Sequence, residues 1–376
     1  MSSKFYHRWP IFQYSATNIL SISQSREPSH ILPYALEHAE EQDLPRLNLV
    51  RKFLRDIFHY DAAAGDQAED FPSLVDVLSV VDIALDRHEN LARGYGQDQL
   101  FQVREALEYA IFRALEHSLS FKTKTQRPRS NATKDLVRKL EPSKSAIISL
   151  NYDVIIDIAL AYRHNADFAF DTANAERLSD REAKTVGIDY GIDFANLPSE
   201  VENRFRLFKL HGSFNWLWSK VTGNIYFGGL NKAIARLFDE KSERVLDIKS
   251  YYGDSQPGQF AEWKRDLAPI LITPTHLKDL RNAYLAELWR KAETALRQAQ
   301  RVTFIGYSLP PDDIHLKYMM KRAMETSEQR PEIVVVDYSD KPEGQRTAVE
   351  DNYRRFFGTV KRYYRKGFEK YVQEEL

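Results

Sequence analysis

Ala146-Ile-Ile-Ser-Leu-Asn-Tyr-Asp153 starts as five apolar or small residues and turns polar without transition. An apolar run of this length with no alternation is the pattern of a strand covered on both faces, as in a parallel sheet. Four further runs share the pattern: Phe205 to Leu210, Ile270 to Ile272, Val302 to Ile305 and Ile333 to Val336. Helical stripes lie between them. Leu285, Leu288, Trp289, Ala292, Leu296 and Ala299 recur at helical spacing just before one run, and Leu316, Met319, Met320 and Ala323 do so just after it. Strands alternating with helices predict an α/β fold with a doubly wound, mostly parallel, Rossmann-like sheet over residues 141–376.

Upstream the period is helical throughout. Leu47, Val50, Leu54 and Ile57 predict one helix, and Leu74, Val77, Leu78, Val81 and Leu85 a second behind Ser73 as N-cap. A third follows from about Leu100, with Val103, Leu107, Ala110 and Ala114 on one face. Residues 31–140 are therefore expected to form a helical module. Within it, Lys122, Lys124, Arg127, Arg129, Lys134 and Arg138 mark a basic stretch over 121–139, read as a solvated connector because no aromatic is interleaved after Phe121. Residues 1–30, rich in Ser and aromatics, show no periodicity and stay unassigned.

Composition excludes several chemistries. The 376 residues contain no cysteine, which rules out disulfides, thiolate catalysis and zinc held by Cys. A formal net charge of -1 gives no bulk attraction to nucleic acid or anionic lipid, so direct nucleic-acid binding is not expected. No stretch approaches the roughly 20 apolar residues of a membrane span, and a cytoplasmic location is the expectation. No Gly-x4-Gly-Lys-Ser/Thr and no His-Glu-x-x-His occurs, against a P-loop ATPase and a metalloprotease-type site. Gly306-Tyr-Ser-Leu-Pro310 has the outline of a hydrolase nucleophile elbow, but that fold needs a catalytic His well downstream and the last one is His315.

In open α/β sheets the ligand lies beyond the carboxyl ends of the strands. Four of the runs end there in Asn151-Tyr-Asp153, Leu210-His-Gly-Ser213, Gly306-Tyr-Ser-Leu309 and Asp337-Tyr-Ser339. Singly, an Asp after a strand is a helix N-cap and a His a structural hydrogen-bonding residue. Together they fall on one edge of one sheet and are able to converge on one ligand.

The order Asn-x-Asp, His-Gly, Gly-x-Ser-Leu and a polar residue closing the last strand resembles the SIR2 superfamily of NAD-consuming enzymes over about Ser145 to Tyr338. Lys209-Leu-His-Gly-Ser-Phe-Asn-Trp216 and Phe304-Ile-Gly-Tyr-Ser-Leu-Pro310 are more similar to SIR2-like effectors of bacterial anti-phage defence than to protein deacylases; the C-terminal Tyr353-Arg-Arg-Phe-Phe-Gly358 fits the same group. The resemblance implies catalytic roles for Asn151, Asp153 and His211. It implies NAD contacts from Gly212 and Ser213, a loop at Gly306 and Ser308 that holds the ADP-ribose part, and Asp337 near the adenosine. It further implies NAD as substrate, no zinc, and activation through a homo-oligomer or a partner defence protein. The absent cysteines favour an NAD hydrolase over a deacylase, whose zinc module needs four. Nicotinamide leaves as a neutral group from an oxocarbenium-like ribose, so the protein has to place water and favour positive charge. His211 in its neutral form accepts a proton, Asn151 orients water, and Asp153 adds a negative field. Trp216 and Trp218 are expected in the core.

One feature of that superfamily is lacking. The diphosphate is held by a Gly-Ala-Gly-type loop after the first strand, and this chain has no glycine before Gly65. Gly94-Tyr-Gly96 lies between helices and does not replace it. The N-terminal strand and its glycine loop are thus expected to be missing or altered. Three readings stand: a mis-specified start, phosphates held by another segment, or a SIR2-like fold without catalysis, kept as an interaction subunit of a defence complex.

Overall fold

The computed structural model describes residues 12–15, 18–22, 31–37, 39, 41–61, 71–119, 131–153, 155–164, 188–194, 205–219, 223–227, 267–272 and 283–376, without 143, 312 and 343. The main sheet contains β1 (Phe12–Ser15), β2 (Asn18–Ile22), β3 (Ser145–Ser149), β4 (Ile188–Asp189), β5 (Phe205–Lys209), β9 (Arg301–Ile305), β10 (Glu332–Val336) and β11 (Arg362–Tyr364). Its order is β11-β10-β9-β1-β2-β3-β5-β4, with β2 also pairing directly with β9. Every one of these pairings is parallel except those of β1. The fold is α/β with a Rossmann-type parallel sheet, as the buried runs predict.

The first parallel strand is present, inside the segment left unassigned. Asn18–Ile22 runs parallel to β9, with Ile22 opposite Ile305, and parallel to β3, with Asn18 opposite Ser145. The chain therefore starts near the middle, builds β3, β5 and β4 to one side, then returns to build β9, β10 and β11 on the other. Such a reversal opens a crevice at the carboxyl edge between the two central strands, here β2 and β9. The segment that follows β2 in the sequence is Ser23-Gln-Ser-Arg-Glu-Pro-Ser-His30, without glycine and outside the described residues. Of the two possibilities, the strand is present, and the sequence after it lacks the glycines.

Between β2 and β3 the chain inserts the helical module: α1 (Ile31–Glu37), α2 (Leu44–Phe58), α3 (Leu74–Asp86) and α4 (Gln97–Leu119). Their stripes close on a core of their own that includes Leu47, Val50, Leu54, Leu74, Val77, Leu78, Val81, Val103 and Leu107. Ser73 stands at the N-cap of α3 by position, but its side chain makes no cap bond. The basic connector is corrected in part. Residues 131–139 form α5 (Asn131–Lys139), and its Leu136 and Val137 are buried with the sheet rather than with the module. Lys134 and Arg138 are the exposed face of an amphipathic helix.

Helices α6 (Ile155–His164), α7 (Ala283–Arg297), α8 (Ile314–Glu325), α9 (Ala348–Phe357) and α10 (Phe368–Glu375) complete the sheet domain. The predicted strand at Ile270–Ile272 exists as β8 (Leu267–Leu271), but it lies outside the parallel sheet. It pairs antiparallel with β6 (Gly212–Ser219), which also pairs with β7 (Ile225–Phe227). Trp216 in β6 is fully buried, edge-on to Tyr190 and Phe194, and Trp218 packs on the same core. Among the described residues no helix is long and apolar enough to cross a membrane.

Candidate functional site

The ends of β3 and β5 are joined beneath the surface. After Ser149, the Asn151 amide donates to Ser149 Oγ at 3.2 Å and turns the chain out of the sheet. Asp153 Oδ1 then accepts from the Ile155 amide at 2.9 Å and starts α6. Asp153 thus does cap a helix, and its second carboxylate oxygen is not used in that bond. Lys209, the last residue of β5, donates its Nζ to the Asp153 carbonyl and to Asp157 Oδ2 at 3.1 Å. Both side chains of this ion pair have zero exposure. Tyr190 Oη donates to the other Asp157 oxygen at 2.7 Å. Burial first, and the Asp157 charge second, push the Tyr190 hydroxyl well above its usual pKa, which keeps it a donor.

His211 follows directly. The Leu210 amide donates to the Ser149 carbonyl at 3.0 Å, and Trp289 Nε1 of α7 donates to the Leu210 carbonyl at 3.0 Å. The His211 carbonyl accepts from Ile272 at 2.8 Å, while Tyr152 Oη donates to the Ile272 carbonyl at 2.6 Å. These bonds bring the Tyr152 and His211 rings to 6.4 Å between centroids. Asn151, Asp153 and His211 are all partly exposed, on two adjacent strand ends held by one set of bonds.

Gly212 and Ser213 serve this turn. Gly212 has φ +84°, and a Cβ there would stand 1.9 Å from the Ile270 carbonyl oxygen, so only glycine lets β8 approach. Ser213 is fully buried, its Oγ bonded to Asn215 Oδ1 at 2.6 Å and to the Tyr152 carbonyl at 3.4 Å. The structure places both in strand pairing rather than on the open edge.

On the other side of the crevice, Gly306 (φ 65°) donates its amide to the Val336 carbonyl at 2.9 Å and leaves β9. Tyr307 is buried, with its hydroxyl on Asp313 Oδ2 at 2.9 Å and its carbonyl accepting from Tyr353 Oη at 2.8 Å. Ser308 is exposed, and its carbonyl accepts from Asn352 Nδ2 at 3.1 Å. Leu309 takes φ 55°, a left-handed conformation that costs a non-glycine residue about 1 kcal/mol or more. Asp337, partly exposed, ends β10, and its carbonyl accepts from Gly367 at 3.0 Å.

Electrostatics couples the two sides. Desolvation raises the Tyr152 hydroxyl far above its usual value, with Arg104 and Glu108 of α4 and Asp313 all acting on it. Arg104 itself lies between Asp82 at 2.5 Å and Glu108 at 2.9 Å, and Tyr152 and Ile155 pack on the helical module's core. Desolvation also raises the Asp153 carboxyl, more than the Lys209 charge lowers it.

Residues 145–357 match the family model of the SIR2-like domain, more than half of the chain. The chain belongs to the SIR2-like family. That family uses NAD as substrate. No curated protein matches. Among solved structures, one concerned with the structural basis of sirtuin substrate affinity is 13% identical, with a TM-score of 0.31 over 65% of this chain and 69% of that one. Another, on the mechanism and regulation of Sir2 enzymes, is 11% identical, with a TM-score of 0.37 over 73% and 79%.

Within this SIR2-like chain the structure adds residues that the strand-end reading passed over. Lys209 and Asp157 are charges inside apolar runs, Phe205 to Leu210 and Ile155 to Leu160, and that mismatch is a signal of a buried pair. Asp313 and Tyr152 have no comparable signal. Their roles depend on contacts between segments far apart in the chain.

Proposed function

We propose that the chain is an NAD hydrolase that releases nicotinamide and ADP-ribose, acting as an effector of anti-phage defence that a partner protein or self-association switches on. The observation that carries it is the common edge: Asn151, Asp153, His211, Gly306, Ser308 and Asp337 all follow the carboxyl ends of parallel strands on either side of the crevice between β2 and β9. In the proposed reaction the C1′–N bond breaks, its electron pair neutralises the pyridinium, and nicotinamide departs without needing an acid. Water bonds to C1′ and gives its proton to the His211 imidazole. Asn151 orients that water, and ionised Asp153 favours the ribose cation. The absence of cysteine supports hydrolysis over zinc-supported deacylation.

A second reading has one observation in its favour. The segment after β2, where backbone would have to approach a diphosphate closely, contains no glycine. On that reading the fold is an interaction subunit of a defence complex. NAD consumption by wild type, Asn151→Ala and His211→Ala, each checked for folding by circular dichroism, separates the two. Activity in the wild type that both folded variants lose is the expected result. A wild type that matches enzyme-free controls, with its partner present, sinks the hydrolase reading.

A further inference from the structure

The loop after β10 and the body of α9 border a wide-open surface cleft of about 400 Å³, lined by Arg346, Asp351, Arg354 and Arg355. This falls within the roughly 300–1,000 Å³ typical of small-ligand sites and exceeds what a lone inorganic anion needs. Three guanidinium groups face a single carboxylate. Arg346 approaches Asp351 at 3.6 Å, whereas Arg354 and Arg355 have no carboxylate partner among the described residues. The excess is two positive charges, the number that a phosphate monoester neutralises.

Arginines in the last turn of a helix ordinarily answer the helix dipole. Arg355 does something else. It reaches back to the Asp351 carbonyl at 3.3 Å and to Asn352 Oδ1 at 2.7 Å. Asn352 in turn donates to the Ser308 carbonyl, and the neighbouring Tyr353 donates to Tyr307. The cleft is thereby tied to the Gly306–Leu309 loop, and Asp337 lies close enough to raise the Tyr353 hydroxyl pKa, behind desolvation as the larger cause. The arginines' helix thus packs against the Gly306–Leu309 loop, read as holding the ADP-ribose part, and carries Tyr353 near Asp337, read as lying near the adenosine.

We propose that this cleft receives a 2′-phosphate on the adenosine ribose, so that the phosphorylated dinucleotide, NADP, is preferred over NAD. The proposal rests on the dinucleotide reading of the sheet edge. Arginine side chains near the adenosine ribose are the usual means of accepting that phosphate, by charge-assisted, forked hydrogen bonds. Asp337, at the strand end itself, is left to meet a ribose hydroxyl.

Isothermal titration with 2′,5′-ADP and 5′-ADP, on wild type and on the Arg354→Gln/Arg355→Gln double variant, tests this without any catalytic readout. Wild type is expected to bind 2′,5′-ADP about tenfold tighter or more, and the double variant to bind the two alike. Equal binding of the two by wild type overturns the proposal and leaves the dinucleotide reading standing. A preference that survives in the double variant also overturns it. Binding of neither removes both.

Discussion

The two sides of the crevice are built on different principles. At the ends of β3 and β5 the chain is held by charge taken out of water: Lys209 and Asp157 are fully buried, with Tyr190 completing the carboxylate's hydrogen bonds. At the ends of β9 and β10 it is held by single neutral donors, Tyr353 on the Tyr307 carbonyl, Asn352 on the Ser308 carbonyl and Tyr307 on the Asp313 carboxylate, with no buried cation among the described residues there. A buried ion pair fixes geometry rigidly and is costly to break, while single hydroxyl and amide bonds contribute about 1 kcal/mol each to a carbonyl and about 2 kcal/mol to a carboxylate. The proposed chemistry sits on the rigid side, and the proposed recognition of the ligand's adenosine end on the compliant one. Reactions need angstrom-level placement, whereas binding tolerates adjustment.

The largest effect is expected from Lys209→Met, which strands a buried Asp157 charge. Loss of one partner of such a pair costs about 3–5 kcal/mol, read as a fall in urea midpoint at unchanged slope. Tyr307→Phe on the other side, which loses one bond to the buried Asp313 carboxylate, is expected to cost about 2 kcal/mol. If the two variants lose the same amount, the contrast between the sides is wrong. Asp157→Leu added to Lys209→Met should restore most of the loss, because the uncompensated charge goes with it.

Two glycines sharpen the contrast on a smaller scale. Gly212→Ala meets the Ile270 carbonyl and keeps a φ of +84°, so it must move β8 and is expected to cost more than the roughly 1–3 kcal/mol of conformational strain alone. Gly358→Ala, at the C-terminus of α9, keeps a φ of +76° but meets nothing within 4 Å. It carries the conformational cost alone, about 1–3 kcal/mol, without the displacement of a neighbouring strand. Thermal unfolding of both variants gives the comparison, and equal losses would mean that β8 moves aside freely from Gly212.

What the sequence made legible follows from how each element is covered. Strands β3, β5, β9 and β10 are buried on both faces, so they read as unbroken apolar runs, and the ends carrying Asn151, His211, Gly306 and Asp337 are exposed to inspection. Asn18-Ile-Leu-Ser-Ile22 was not legible, because two of its five residues are polar and its flanks are serine-rich. The burial of α5 was hidden by its charge, since Lys134 and Arg138 outweigh Leu136 and Val137 unless helical spacing is applied. Residues 270–272 were recognisable as strand but not as part of a second sheet. Pairing partners are set by Gly212 and Ser213 opposite Leu271 and Ile270, a contact between distant segments. The burial of Ser213 was not legible, because a polar residue at a strand end is ordinarily exposed; it depends on Asn215 and Tyr152.

The smallest change in stability is expected at Asp153, and it separates capping from chemistry. Asparagine keeps an oxygen for the Ile155 amide and is as good an N-cap residue as aspartate, so Asp153→Asn should alter stability by no more than about 1 kcal/mol. The pH dependence has a definite sign. Burial raises the folded-state pKa of Asp153, so the protonated form is favoured on folding. That contribution is full below the unfolded value and is lost as pH rises through the folded one. Relative to wild type, the Asn variant should therefore gain stability as pH increases across that window and hold the gain to neutrality. Turnover should respond the other way. If ionised Asp153 favours the ribose cation, wild-type NAD cleavage rises over the same window, with a midpoint above the ordinary carboxylate range, and the Asn variant is slower by about tenfold or more and flat there. A variant that keeps both stability and wild-type turnover would reduce Asp153 to a helix cap and leave Asn151 and His211 to carry the chemistry alone.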